Sequence, residues 1–250
     1  MSLSESIIPL VEIGPRTATG YSSGAHRCLG ADGRYYFVKS PTLAGAESVV
    51  SEWIAAGLAT ALELPVREVA LVDIPESLVS GDLLGLGHGV SFGSLELAYS
   101  DELSWSLVDS LPTALKAEVL VFDYWIQNLD RTLGAAGGNP NLLTASGVSL
   151  ALIDHGNSFD QAFNPALLLS NHVFAEARVH WLEKKTRASW EKRALRAMET
   201  IPNSWDQIPL DWHENKFGEP RHQNTLENIH SVLDRFTLNP AEFWSGLISS

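Results

Sequence analysis

Asp130 and Asp154, with Asn139 and Asn141 between them, are the residues of this chain whose types and order can do chemistry. They fall in three segments: Asn128-Leu-Asp130-Arg131, Asn139-Pro-Asn141-Leu-Leu143 and Leu152-Ile-Asp154-His-Gly156. Phosphoryl transfer asks for a carboxylate near an attacking hydroxyl, and for a second carboxylate with an amide oxygen to hold magnesium on the phosphates. Asp130 can supply the first carboxylate, Asp154 the second, and Asn139 or Asn141 the amide. Taken singly, an Asp-Arg pair reads as a surface ion pair and Asp-His-Gly as a turn. The order carries the meaning: helix, polar loop with Asp, Asn-rich segment, hairpin, Asp-x-Gly. The hairpin is expected over 142–144 and 148–153, turned at Ser146-Gly147, which would return Asp154 towards Asp130.

The preceding sequence supplies a scaffold for these residues. A strand is expected over 7–13, then a loop of small residues, Thr17-Ala-Thr-Gly20-Tyr-Ser22-Ser23-Gly24. Strands over 25–29 and 34–38 form a hairpin across Ala31-Asp32-Gly33, since Asp-Gly accepts the positive backbone angles of a tight turn. A strand, a Gly-containing loop and a hairpin make a unit whose backbone N–H groups can cover ATP phosphates. Gly20, Ser22, Ser23 and Gly24 are therefore candidate nucleotide contacts. Lys39 closes the third strand and is a candidate cation for the phosphates. Residues 46–62 carry a one-sided helical stripe with Glu52 beside it, placed to hold Lys39; Glu47 is the less favoured candidate.

A strand is expected over 64–74, with 69–72 as its core. Residues 92–98 form a connecting segment whose backbone would meet the adenine edge, with Glu96 in it. A helix over 111–128, with Pro112 in its first turn, ends where the Asp130 loop begins. Further helices are expected over 186–201 and 226–236, and a capped one starts at Asn239-Pro240. Trp181, Trp190, Trp205, Trp212 and Trp244 read as packing anchors.

A formal charge of −13 argues against nucleic acid and anionic lipid as partners. Hydrophobic content of 45% is ample for a core. No apolar run is long enough to cross a membrane, and the N-terminus lacks a signal-peptide pattern. The one cysteine, Cys28, falls in an expected strand and reads as a buried, inert thiol. The eight histidines show no zinc spacing, and His155 is read as packing or hydrogen-bonding. A cytoplasmic, bacterial protein is expected.

Four segments resemble the HipA-like kinases, above all their small stand-alone bacterial members: Tyr36-Phe-Val-Lys39-Ser-Pro41, Ser51-Glu52-Trp53, Asn128-Leu-Asp130-Arg131 through Asn139-Pro-Asn141-Leu-Leu143, and Leu152-Ile-Asp154-His-Gly156. A more distant resemblance is to the phosphatidylinositol kinases. The resemblance implies an α+β, protein-kinase-like bilobal fold, with a β-rich N-lobe over 1–97 and a mainly helical C-lobe over 98–250. It implies ATP and Mg2+ as cofactors, a serine/threonine protein substrate, an antitoxin-type partner, and autophosphorylation at Ser22 or Ser23. Arg131 would stabilise Asp130 or face a phosphate. One departure stands out: Asn139 comes nine residues after Asp130, through the Gly/Ala-rich Leu133-Gly-Ala-Ala-Gly-Gly138, where the family keeps a shorter loop. Loop order favours Asn139 as the amide ligand, and adjacency to the next strand favours Asn141.

The lengthened loop keeps a pseudokinase in view, with a binding or scaffold role. A small-molecule kinase of the aminoglycoside or choline type is disfavoured, because those usually carry His-Gly-Asp where Asp130 here follows Asn-Leu. A non-kinase α+β binding protein is the plain alternative.

Overall fold

The computed structural model describes residues 7–16, 25–145, 149–214, 220 and 225–249. The chain is mixed α+β, strand-rich in its N-terminal part and helical in its C-terminal part. Five strands, β1 (Ile8–Arg16), β2 (His26–Gly30), β3 (Tyr35–Lys39), β4 (Val69–Ile74) and β5 (Gly89–Leu95), close into a barrel in the order β1-β2-β3-β5-β4. The closing contact is parallel and joins Ile8 and Pro9 of β1 to Val72 and Asp73 of β4. Closure leaves no open sheet edge. Leu10, Cys28, Tyr36, Val38, Ala70, Val72 and Ile74 fill its interior. Gly93 faces inward where β5 passes β4; a Cβ there would lie 2.8 Å from Val72 Cγ1. Cys28 is fully buried, and burial pushes its thiol up to about 12, so the thiolate that reacts is suppressed.

A short helix, α1 (Pro41–Ala44), is capped by the Ser40 hydroxyl on the Leu43 N–H and leads into α2 (Ala46–Ala61). The expected one-sided stripe of α2 is not what forms: every residue from Val49 to Ala59 is buried. A helix covered all round lies between layers. The Trp53 indole reaches the Ser204 carbonyl in the helical part, while Val69, Leu71 and Phe92 of the barrel share its core. The strand expected over 64–74 begins only at Val69; before it, Val66 makes a single parallel bridge to Leu152.

β6 (Ser100–Glu102), β7 (Leu142–Ala145) and β8 (Ser149–Leu152) form an antiparallel three-stranded sheet. β7 and β8 are the hairpin expected between the two aspartates; its turn, at 146–148, lies outside the described residues. α3 (Thr113–Trp125) is shorter than expected: Pro112 is its N-cap, and the helix stops three residues before Asn128. The remaining helices are α4 (Pro165–Asn171), α5 (Lys184–Met198), α6 (Ile201–Asp206), α7 (Leu210–His213), α8 (Leu226–Leu233), α9 (Arg235–Leu238) and α10 (Pro240–Ile248). Asn239 caps α10 by position, without a side-chain bond. Trp181, Trp190, Trp212 and Trp244 are buried as expected, and Trp205 is partly buried against the same core. Among the described residues, no helix is long and apolar enough to cross a membrane.

Candidate active site

Lys39 ends β3, and its ammonium lies 2.6 Å from Glu52 Oε1 on α2 and 2.7 Å from Asp154 Oδ1 after β8. Three residues far apart in sequence thus meet in a nearly dry ion cluster. Glu52, at 2% exposure, takes this place, while Glu47 is exposed. The second Glu52 oxygen accepts the His155 N–H at 2.8 Å, which fixes the backbone just after Asp154. Burial opposes the charge on Lys39, but two carboxylates outweigh it, and the ammonium is held above its ordinary range. Burial also pushes the Glu52 carboxyl up, against the pull of Lys39. One ammonium facing two carboxylates leaves a formal surplus of negative charge, which a bound cation would offset.

Asp130 is ringed by amides. Asn139 Nδ2 lies 3.2 Å from its Oδ1, and Asn141 Nδ2 lies 3.2 Å and Asn157 Nδ2 3.3 Å from its Oδ2. Asn157 has no place in the sequence reading; it comes three residues after Asp154, and that spacing within the metal-type loop was the available signal. Asn128 holds the loop from below. Its carbonyl oxygen accepts the Asp130 N–H, and its amide donates to Asp123 of α3 at 2.9 Å.

The lengthened loop folds back on itself. The Thr132 N–H donates to the Asn139 carbonyl at 2.8 Å, and Gly134 and Gly137 exchange N–H···O bonds across Ala135-Ala136. The extra residues form a small hairpin whose base returns Asn139 to Asp130. Gly138 is needed at that base, since a Cβ would lie 2.5 Å from the Thr132 carbonyl oxygen. Both asparagines contact Asp130, so the structure does not separate Asn139 from Asn141. Asn141 is the more constrained. It is buried, in the left-handed region with φ 47°, and its carbonyl accepts from Arg131. Asp154 shares that unusual backbone, at φ 56°.

Arg131 departs from expectation. It is 0% exposed and pairs with Asp123 of α3 rather than with Asp130. Its Nε lies 2.6 Å from Asp123 Oδ2, Nη1 bonds the Asn141 carbonyl, and Nη2 lies 3.2 Å from His155 Nε2. It ties the Asp130 loop to the asparagine segment and to the Asp154 loop. A guanidinium suits this because its donors diverge in a rigid plane. His172 completes the knot. Its Nδ1 accepts the Phe174 N–H, so Nε2 carries the proton donated to Asp123 at 2.9 Å. Burial alone would raise the Asp123 carboxyl; Arg131 and His172 outweigh it and hold it well below the usual carboxylate range. Burial, with Arg131 nearby, lowers His155 to about 3, and burial lowers His172, so both rings are neutral. His155 also packs edge-on against Phe122.

Lys39, Glu52 and Asp154 line a largely apolar cleft with about 660 Å³ of empty space, part of it open solvent. Phe37, Val66, Phe92, Leu97 and Leu152 supply its walls. The Glu96 side chain is not among them. It takes two bonds from Arg27, at 2.7 and 2.9 Å, and the cleft face of this segment belongs to Leu95 and Leu97. Gly20, Ser22, Ser23 and Gly24 lie outside the described residues. A groove lined by Gly45, Glu47, Ser48, Gly156, Asn157 and Asp160 adjoins Asp130 through Asn157.

No cluster of three or more His, Cys, Asp or Glu side chains forms a metal site among the described residues. What is present, the Asp154 carboxylate beside a surplus of negative charge, fits a hard cation held largely by phosphate and water.

A strand lysine paired to a helix glutamate, set above two aspartate loops, is the ground plan of a kinase-type phosphotransferase. The solved structure of a Helicobacter pylori proinflammatory kinase, CtkA, has a similar fold, with TM-score 0.55 and 16% identity over 98% of this chain and 99% of that one. The HipA-like kinase family model matches residues 10–247, and the chain belongs to that family. No curated protein sequence matches the chain.

Proposed function

We propose that this protein is an ATP-dependent serine/threonine protein kinase, with a β-rich N-lobe to about residue 97 and a helical C-lobe beyond it. The observation that carries the reading is the meeting of Lys39, Glu52 and Asp154 beside an apolar cleft, with Asp130 held by three amides. Lys39 would bind the nucleotide phosphates and Glu52 would hold it in place. Asp154, with Asn139 or Asn141, would hold magnesium, which offsets phosphate charge when bound. Asp130 would accept the proton of the acceptor hydroxyl. The amides around it suit that role, since each donates to the carboxylate and holds it in place. Asn157 and the adjoining groove mark the side from which the acceptor would approach. Arg131 is a positioning residue.

The loop that raised a pseudokinase reading keeps Asn139 against Asp130, which favours an active enzyme. Thermal unfolding measured with ATP, with and without magnesium, tests the nucleotide half of the reading. The expected result is a rise in Tm that needs the metal. An unfolding temperature indifferent to both would contradict it.

A further inference from the structure

We propose that the groove beside Asp130 selects acceptor segments that carry an arginine or lysine within a few residues of the serine or threonine, by setting that cation against Glu47 and Asp160. This rests on the kinase reading above and narrows its substrate.

Two stretches of chain line this groove, 44–48 at the start of α2 and 156–160 after the Asp154 loop. They meet closely, since a Cβ at Gly156 would strike the Ser48 hydroxyl. The second stretch is pinned by the Ser158 N–H on the His155 carbonyl at 3.0 Å and by the Phe159 N–H on the Ile126 carbonyl at 2.7 Å. The groove is therefore preformed, and little ordering opposes binding in it. Its position ties it to the acceptor. Asn157 lines it and also donates to Asp130 at 3.3 Å, so a segment whose hydroxyl lies at Asp130 has neighbouring side chains within reach of it.

Two independent observations say what fills it. Glu47 and Asp160 are both exposed, and no lysine, arginine or histidine lines the groove with them. Asp160 spends one oxygen on the Ala162 N–H at 2.8 Å, and Glu47 makes no ion pair among the described residues. Separately, Ser158 lines the same groove at 4% exposure, and its hydroxyl finds no partner among the described residues. A guanidinium brings five N–H donors and an ammonium three, and neither brings an acceptor. Two carboxylates and an open hydroxyl match either of them. The chain's charge of −13 adds a long-range field that draws basic segments in, and the groove fixes where their cation rests.

The test is phosphate transfer to a set of serine and threonine peptides in which each position near the acceptor is in turn Arg, Ala or Glu. It uses wild-type protein, Glu47→Gln with Asp160→Asn, which keeps an oxygen for the Ala162 N–H, and Glu47→Lys. Magnesium–ATP affinity is measured alongside. Expected in wild type is a kcat/KM roughly tenfold higher for Arg than for Ala at one or more positions, the worth of two exposed charge pairs. The double variant should bring that ratio to within about twofold at unchanged nucleotide affinity, and Glu47→Lys should shift the preference towards Glu. A purely structural role for the two acids would slow all peptides alike and keep the ratio, which overturns the proposal. So does a wild-type enzyme that phosphorylates Arg, Ala and Glu peptides equally, although the kinase reading then stands. Protein that binds magnesium–ATP and phosphorylates no peptide overturns the protein-kinase reading itself, and this proposal with it.

Discussion

Arg131 follows Asp130 in sequence yet points away from it, into a buried ion pair with Asp123 of α3 at 2.6 Å. Removing one partner of such a pair strands the other in a dry site, which costs about 3–5 kcal/mol. Arg131→Ala and Asp123→Ala are each expected to destabilise the fold by that order in urea titrations. Arg131→Lys keeps the charge but cannot bond Asp123, Asn141 and His155 together. It is expected to recover much of the stability while transfer stays low. Equal recovery of both would mean that Arg131 only holds the fold.

The Lys39–Glu52 bond predicts coupled effects. Lys39→Met and Glu52→Gln should each lower transfer, and the double variant should lower it by less than the combined single losses. A coupling of about 0.5–3 kcal/mol is expected for groups in contact. Lys39→Met should be the more damaging, because it also removes a partner of Asp154. Strict additivity in kcat/KM would show that the pair does not act together.

Gly138 gives the lengthened loop a specific weak point. Gly138→Ala places a methyl against the Thr132 carbonyl, and relieving that contact moves the hairpin base that carries Asn139. A modest stability loss of about 1–3 kcal/mol is expected, with a raised magnesium requirement for transfer. Gly134→Ala, where a Cβ meets nothing within 4 Å, is the matched control and should leave the requirement unchanged. Magnesium titration of transfer in both variants reads the difference.

Much of this was legible in the sequence because it is local. The Asp-Gly turn, the strand ending in Lys39, the helix carrying Glu52 and the ordered aspartate segments each follow from short-range pattern. What was hidden is non-local. Nothing in the period of β1 says that its free edge will meet β4 in parallel, so barrel closure is not legible in the sequence. An arginine beside an aspartate reads as its partner, and only the fold reveals Asp123 eight residues back, one helical face away, with His172 behind it. The full burial of α2 depends on layers on both sides of it, which a one-sided stripe does not reveal.

The two buried neutral histidines predict acid sensitivity. His155 and His172 both have pKa values lowered by folding, so below about pH 6.5 the unfolded chain binds protons that the folded one refuses. Stability is therefore present above that pH and falls as pH drops through the window. The slope approaches about 1.4 kcal/mol per pH unit for His155, whose folded value lies well below the window, and His172 contributes in the same direction. Urea midpoints between pH 7.5 and 5 check this, and His155→Phe should flatten the curve. A stability that is level across that range would contradict the burial of neutral imidazoles.

The division of labour between the two aspartates tests the account most directly, by transfer of labelled phosphate to a protein mixture measured alongside nucleotide affinity. Asp130→Asn should bind magnesium–ATP close to wild type and lose transfer by about a hundredfold or more, as expected when a positioned general base is removed. Asp154→Asn should lose magnesium-dependent binding itself, because the metal's charged ligand is gone. Wild-type transfer in both variants would contradict the assignment of this site.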